Sequence, residues 1–166
     1  MRRLTLLRHG KSSWDNPGLD DHDRPLNKRG KRDAPAMGAL LKKRGYRPQV
    51  IITSTANRAR TTAALLGGEL GIEQNQIRET EALYLASPRS ILGVADTIAP
   101  GNTDILLVGH NPGMTNLANQ ASDARLDNLP TCGIISIVGQ TSNWASLLDE
   151  PGHADWCLLP RKDLTN

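Results

Sequence analysis

The sequence predicts an α/β fold, a single-domain three-layer sandwich with a mostly parallel mixed sheet. Three observations carry that expectation. Short continuous apolar runs at residues 3–7, 49–53 and 104–108 have the length and β-branched content of strands buried on both faces. Segments with helical apolar spacing alternate with them. Two further strand-like segments then close the chain.

The elements follow in order. Residues 3–7 open the chain as a buried strand that stops at Arg8-His9-Gly10. Residues 11–25 are polar, with Pro17, Gly18 and the aspartates Asp15, Asp20, Asp21 and Asp23, and read as a loop. A helix follows Asn27 as its N-cap and closes at Gly45, with Ala34, Met37, Leu40 and Leu41 on its apolar stripe. Pro35 is expected either to kink this helix or to mark a later start. The strand at 49–53 ends at Ser54 and leads into a helix over 57–70, with Gly71 at its end. Residues 77–80 are an edge-strand candidate, and Pro88 opens a helix to Ile98. The strand at 104–108 runs into Asn111-Pro112, read as an N-cap followed by a first-position proline. Residues 132–138 and 155–159 are the last two strands, joined by a Trp144-centred connection. No linker or repeat interrupts the chain, so one domain over 1–166 is expected.

Composition narrows the function classes. With 166 residues, 38% hydrophobic and 22% charged, the chain has enough apolar content for a packed core. There is no Phe, so Leu, Ile, Val, Ala and Met must build that core. The formal charge of +3 is spread along the chain, without the basic stripe and stacking aromatics that nucleic-acid binding needs. No run approaches a membrane span or a secretory leader. Cys132 and Cys157 form no ligand or CxxC pattern. These features lead to an expectation of a cytoplasmic protein with free thiols, no metal and no cofactor.

Polar residues collect at three strand ends: Arg8-His9-Gly10, Ser54 with Arg58, and Gly109-His110-Asn111-Pro112-Gly113. In an open parallel sheet, ligands bind outside the carboxyl ends of the strands, so these residues should converge. Two guanidiniums offer paired donors to a tetrahedral anion, as a lysine cannot. Helix N-termini after Ser54 and Asn111 would add backbone donors, and Gly10 and Gly109 would allow close backbone approach. Histidine can serve as a covalent nucleophile near neutral pH, and His9 is the better placed of the two. Other motifs fail. Thr5 stands where a Walker A glycine is required, no Gly-x-Ser-x-Gly exists, and the loop aspartates lack EF-hand spacing.

Arg8-His9-Gly10, Asp23-Arg24-Pro25-Leu26 with Gly30, Ser54-x-x-x-Arg58-Ala59-x-x-Thr62, Val108-Gly109-His110-Asn111-Pro112-Gly113 and Leu159-Pro160-Arg161-Lys162 stand in an order that resembles the histidine phosphatase superfamily. The short branch that includes SixA, the phosphohistidine phosphatases, is most similar. The resemblance implies a phosphoglycerate mutase-like fold, His9 as phosphoryl acceptor, and a phosphate pocket of Arg8, Arg58 and His110, with Gly10 beside it and Arg24 at its rim. It implies a phosphohistidine-bearing protein as substrate. Two alternatives are a small phosphoester turned over by the same chemistry and a module that binds phosphorylated ligands without turnover. Longer members of that family carry a glutamate general acid after a mid-chain strand. Glu79 and Glu81 lie in about that region, and the acid stays unassigned between Glu79, Glu81 and neither. Only 48 residues, 62–109, lie between Thr61 and His110, which leaves little chain for a lid.

Overall fold

The computed structural model describes residues 1–164; residues 165 and 166 of the expected domain lie outside the described residues. One six-stranded sheet organises them: β1 (Arg2–Arg8), β2 (Val50–Ser54), β3 (Ile77–Thr80), β4 (Asp104–Gly109), β5 (Ile134–Gly139) and β6 (His153–Leu158), in the order β3-β2-β4-β1-β5-β6. β3, β2, β4 and β1 are parallel, while β5 and β6 are antiparallel to their neighbours. The mostly parallel mixed sheet is as expected. β2, β4 and β5 are buried almost throughout, which explains their unbroken apolar runs.

Helices cover both faces. α1 (Lys28–Lys43) and α2 (Asn57–Glu69) lie on one side, where Met37, Leu41 and Leu66 pack against Ile51, Leu106 and Val108. α3 (Pro88–Ile98) and α4 (Gly113–Ala121) lie on the other, where Leu92 and Leu117 join Leu4, Leu6, Ile105, Leu107 and the buried Trp144. Each fully buried Leu, Ile or Met contributes about 1.5–3 kcal/mol. A four-residue helix, α5 (Pro160–Asp163), follows β6. Among the described residues, no helix is long and apolar enough to cross a membrane.

Several boundaries differ from expectation for local reasons. α1 starts at Lys28, capped by Asn27 Oδ1 accepting from Gly30 N–H, and runs through Pro35 instead of starting after it. Proline costs one backbone hydrogen bond there, and the buried Ala34, Met37 and Leu41 hold the helix on either side. β5 begins two residues later than expected because Cys132 has φ +59°, outside strand geometry. Asn111-Pro112 is a cis peptide, and Pro112 stands before α4, not at its first position. The Asn111 side chain still caps locally, accepting from Thr115 N–H and Oγ1–H.

The parallel register carries the strand ends together. Arg8 pairs with Gly109, and Thr53 with Val108, so His9, Ser54 and His110 emerge side by side.

Candidate active site

A cleft of about 250 Å³ opens at these strand ends, lined by Arg8, His9, Arg24, Arg58 and His110 together with Lys11, Ser12, Trp14, Leu85, Asn111 and Thr131. A larger cavity of about 610 Å³ lies between α1 and α5. Among the described residues, its one carboxylate, Asp33, is already paired with Arg29 and Arg32, and no nucleophilic side chain lines it. Chemistry, not size, therefore points to the strand-end cleft.

His9 sits at the floor, 7% exposed. Its backbone N–H donates to Gly109 O, which ties it to the end of β4. Its Nδ1 lies 2.7 Å from Gly10 O. A carbonyl oxygen only accepts, so Nδ1 carries the proton and Nε2 keeps its lone pair. Arg58 Nε lies 3.4 Å from that Nε2 and donates toward it. Burial pushes the His9 pKa down to about 3, with the nearby His110, Arg58 and Arg8 adding to the shift and the Gly10 carbonyl opposing it. The ring is neutral at pH 7, with its unprotonated nitrogen turned to Arg58.

Arg58, in the first turn of α2 and 4% exposed, is locked from behind. Its Nη1 donates to Asp21 O at 2.7 Å and its Nη2 to Asp21 Oδ2 at 2.9 Å. Asp21 also accepts from Arg24 Nη1 at 2.9 Å and from Tyr84 Oη. The Tyr84 hydroxyl and the two guanidiniums hold its carboxyl well below the usual range. Arg8 donates Nη1 to Leu129 O at 3.1 Å. His110 Nε2 lies 2.8 Å from Ser54 Oγ, and its ring centroid 5.1 Å from that of His9. Burial first, then Arg58, lowers the His110 pKa to about 4, opposed by Asp21.

Among the described residues, the buried side-chain nitrogens and oxygens without a hydrogen-bond partner are Arg8 Nε and His110 Nδ1. Both belong to residues of this cleft. A buried unsatisfied polar atom costs about 1–3 kcal/mol, and a fold keeps such atoms where a ligand will meet them. Two arginines, a histidine and a neutral imidazole lone pair make a receptor for a tetrahedral oxyanion with an electrophilic centre.

The structure thus brings Arg8, His9, Arg58, His110 and Arg24 to one cleft. Arg24 is at once part of the cleft wall and an ion-pair partner of Asp21. Gly10 differs from its expected part. A Cβ on it would meet Leu26 Cδ2, Cys132 Sγ and Gly30 Cα at 3.1–3.2 Å, so its lack of a side chain serves packing on α1. Its carbonyl orients His9 and its N–H donates to Thr62 Oγ1. Glu79 and Glu81 are exposed and line no part of the cleft, and Glu79 pairs with Arg60 at 3.6 Å. Sequence reasoning missed Asp21 and Tyr84. Asp21 is one of four loop aspartates, and no periodicity separates it from the others.

The two buried neutral histidines make a stability prediction. In the unfolded chain each titrates at about 6.5, and in the fold His9 titrates at about 3 and His110 at about 4. The native state binds fewer protons across that window, so stability is fully present above pH 6.5 and is lost as pH falls toward 3–4. At pH 5 the loss is about 2 kcal/mol per histidine. Urea unfolding at pH 7 and pH 5 should show this drop in the wild type and about half of it in His110→Asn. An equal drop in both would contradict it.

The family model for the histidine phosphatase superfamily (branch 1) matches residues 4–84. An uncharacterized protein of Mycobacterium tuberculosis is 34% identical over 158 residues, 89% of this chain and 94% of its own. The structure of SixA from Agrobacterium tumefaciens superposes with a TM-score of 0.78 at 30% identity, covering 96% of this chain and 98% of that one. The protein histidine phosphatase SixA complexed with tungstate shares the fold, with a TM-score of 0.80 at 18% identity over 96% of this chain and 98% of that one. With the arginine-histidine cleft at the ends of β1, β2 and β4, these likenesses establish the chain as a SixA-like member of the histidine phosphatase superfamily.

Proposed function

We propose that the protein is a phosphohistidine phosphatase in which His9 takes the phosphoryl group from a histidine on a protein partner. The observation that carries this reading is the lack of an acid in the cleft. Among the described residues, no carboxyl group lines it, and the nearby Asp21 is held ionised by Arg58, Arg24 and Tyr84. An alkoxide leaving group needs a proton delivered to it. A phosphoryl-imidazole protonated on its other ring nitrogen leaves as neutral imidazole and needs none.

The steps balance without a further reagent. Arg8, Arg58 and His110 hold the equatorial phosphoryl oxygens, with Arg8 Nε and His110 Nδ1 turning from orphans into donors. For that, His110 carries its proton on Nδ1, and Ser54 Oγ–H donates to Nε2, consistent with their 2.8 Å separation. The His9 Nε2 lone pair attacks phosphorus, the substrate P–N bond breaks, and the bond pair leaves on the substrate ring. Water then attacks phospho-His9, the P–Nε2 bond breaks, and inorganic phosphate departs. Gly10 O holds the His9 tautomer through both steps. The open cleft and the scarcity of chain for a lid suit a protein-borne substrate. The free thiols of Cys132 and Cys157 are consistent with a cytoplasmic setting.

Two other readings fit less well. A small-phosphoester phosphatase needs an acid, and Glu79 and Glu81 are turned elsewhere. A binding module would present a donor at the floor, whereas His9 presents a lone pair, which repels a phosphate oxygen. Turnover of a phosphohistidine-bearing phosphotransfer domain, beside a panel of small phosphoesters, tests the reading. Preference for the phosphoprotein is expected, and turnover of small esters alone would overturn the assignment. The double variant Glu79→Gln/Glu81→Gln should keep its rate on the phosphoprotein within about twofold, since surface substitutions away from the site act weakly. A fall of tenfold or more would restore one of them as the acid.

A further inference from the structure

We propose that Trp14 and Leu85 form a clamp that reads the leaving ring of the substrate. This rests on the phosphohistidine reading above and adds the residues that would select an imidazole-borne phosphoryl group. In-line transfer places the leaving atom opposite the attacking one. His9 Nε2 attacks from the buried floor, so the leaving group points out through the mouth. Of the side chains lining the cleft, the exposed ones are Lys11, Trp14 and Leu85. Trp14 is 73% exposed and Leu85 59%, and the other exposed large apolar residues, Met1 and Leu19, line no part of the cleft.

Trp14 is held in place. The Arg24 guanidinium lies 3.3 Å from the Trp14 ring centroid, so one face of the indole is covered by a cation. Arg24 is itself fixed by Ser13 O, Asp21 Oδ1 and Ser12 Oγ. The indole is therefore oriented before any ligand arrives, which lowers the entropy cost of stacking a flat ring on it. Leu85 has φ +51°, a backbone region that disfavours a branched side chain and is open to glycine. A strained, exposed leucine at the mouth of a cationic cleft does nothing for phosphate itself. It offers an apolar edge to whatever carries the phosphate.

The test compares two P–N substrates that share the His9 chemistry: a phosphohistidine-bearing phosphotransfer domain, and phosphoramidate, whose leaving group is ammonia. The quantity read is the ratio of kcat/KM on the first to kcat/KM on the second. Trp14→Ala and Leu85→Gly should each lower this ratio tenfold or more, chiefly through KM on the phosphoprotein. Trp14→Phe should recover most of it. Leu85→Gly keeps the fold testable, because glycine adopts φ +51° without strain. An unchanged ratio, with both substrates slowed in parallel, would mean that Trp14 acts only by positioning Arg24 and would overturn the clamp. Wild-type protein that hydrolyses phosphoramidate and ignores the phosphoprotein would instead overturn the reading beneath it.

Discussion

His9→Ala is expected to lower turnover by at least about 10⁴-fold, because it removes the nucleophile and leaves only the anion receptor. The expectation rests on atoms already fixed in place. Gly10 O takes the Nδ1 proton, and the β4 end holds the His9 backbone through Gly109 O. Among the described residues, nothing else lining the cleft offers an equivalent lone pair at the floor. His110 Nε2 faces Ser54, and Cys132 is buried with its thiol pKa pushed up to about 12 by that burial. The substitution should not cost the fold. It removes a buried neutral imidazole from beside three other basic groups, so tight binding of phosphate or vanadate should survive in the variant. Steady-state kinetics with a vanadate-binding control checks both halves. Residual activity within about tenfold of wild type would remove His9 from the mechanism.

The second large effect is expected at Arg58. Its three nitrogens serve two purposes: Nη1 and Nη2 lock onto Asp21, and Nε approaches His9 Nε2. A lysine keeps the charge and loses the planar fork, so it cannot grip Asp21 and face the phosphoryl oxygens together. Arg58→Lys should cost about 10²–10³-fold in kcat, the size seen when one donor to a developing oxyanion is removed. Asp21 would then lose two of its four cationic and hydroxyl contacts, loosening Arg24 and Tyr84 as well. A lysine variant within threefold of wild type would show that charge alone suffices at this position.

Much of this architecture was legible in the chain because burial on both sheet faces leaves unbroken apolar runs. The runs at 49–53 and 104–108 place β2 and β4 within a residue, and 88–98 marks α3. The site residues were legible because the ends of parallel strands are the one place where Arg8, His9, Arg58 and His110 can meet. What escaped depends on contacts between segments distant in sequence. Asp21 is singled out among the loop aspartates only when the loop folds over α2 and meets Arg58 and Tyr84. Trp14 is held in the open by stacking on Arg24, a contact between loop residues ten apart that no periodicity marks. Gly10 was expected to admit phosphate, and the tight fit against Gly30 and Leu26 is invisible without the tertiary structure. Pro35 sits inside α1 because buried neighbours on both sides outweigh one lost hydrogen bond.

The central claim is that phosphorus passes through His9. Reaction of the wild type with ³²P-labelled phosphohistidine protein, quenched in alkali within the first turnover and mapped by mass spectrometry, tests it directly. An alkali-stable, acid-labile label on His9 Nε2, absent from His9→Ala, is the predicted result. Steady release of phosphate with no label on the enzyme, or a label on another residue, would contradict it.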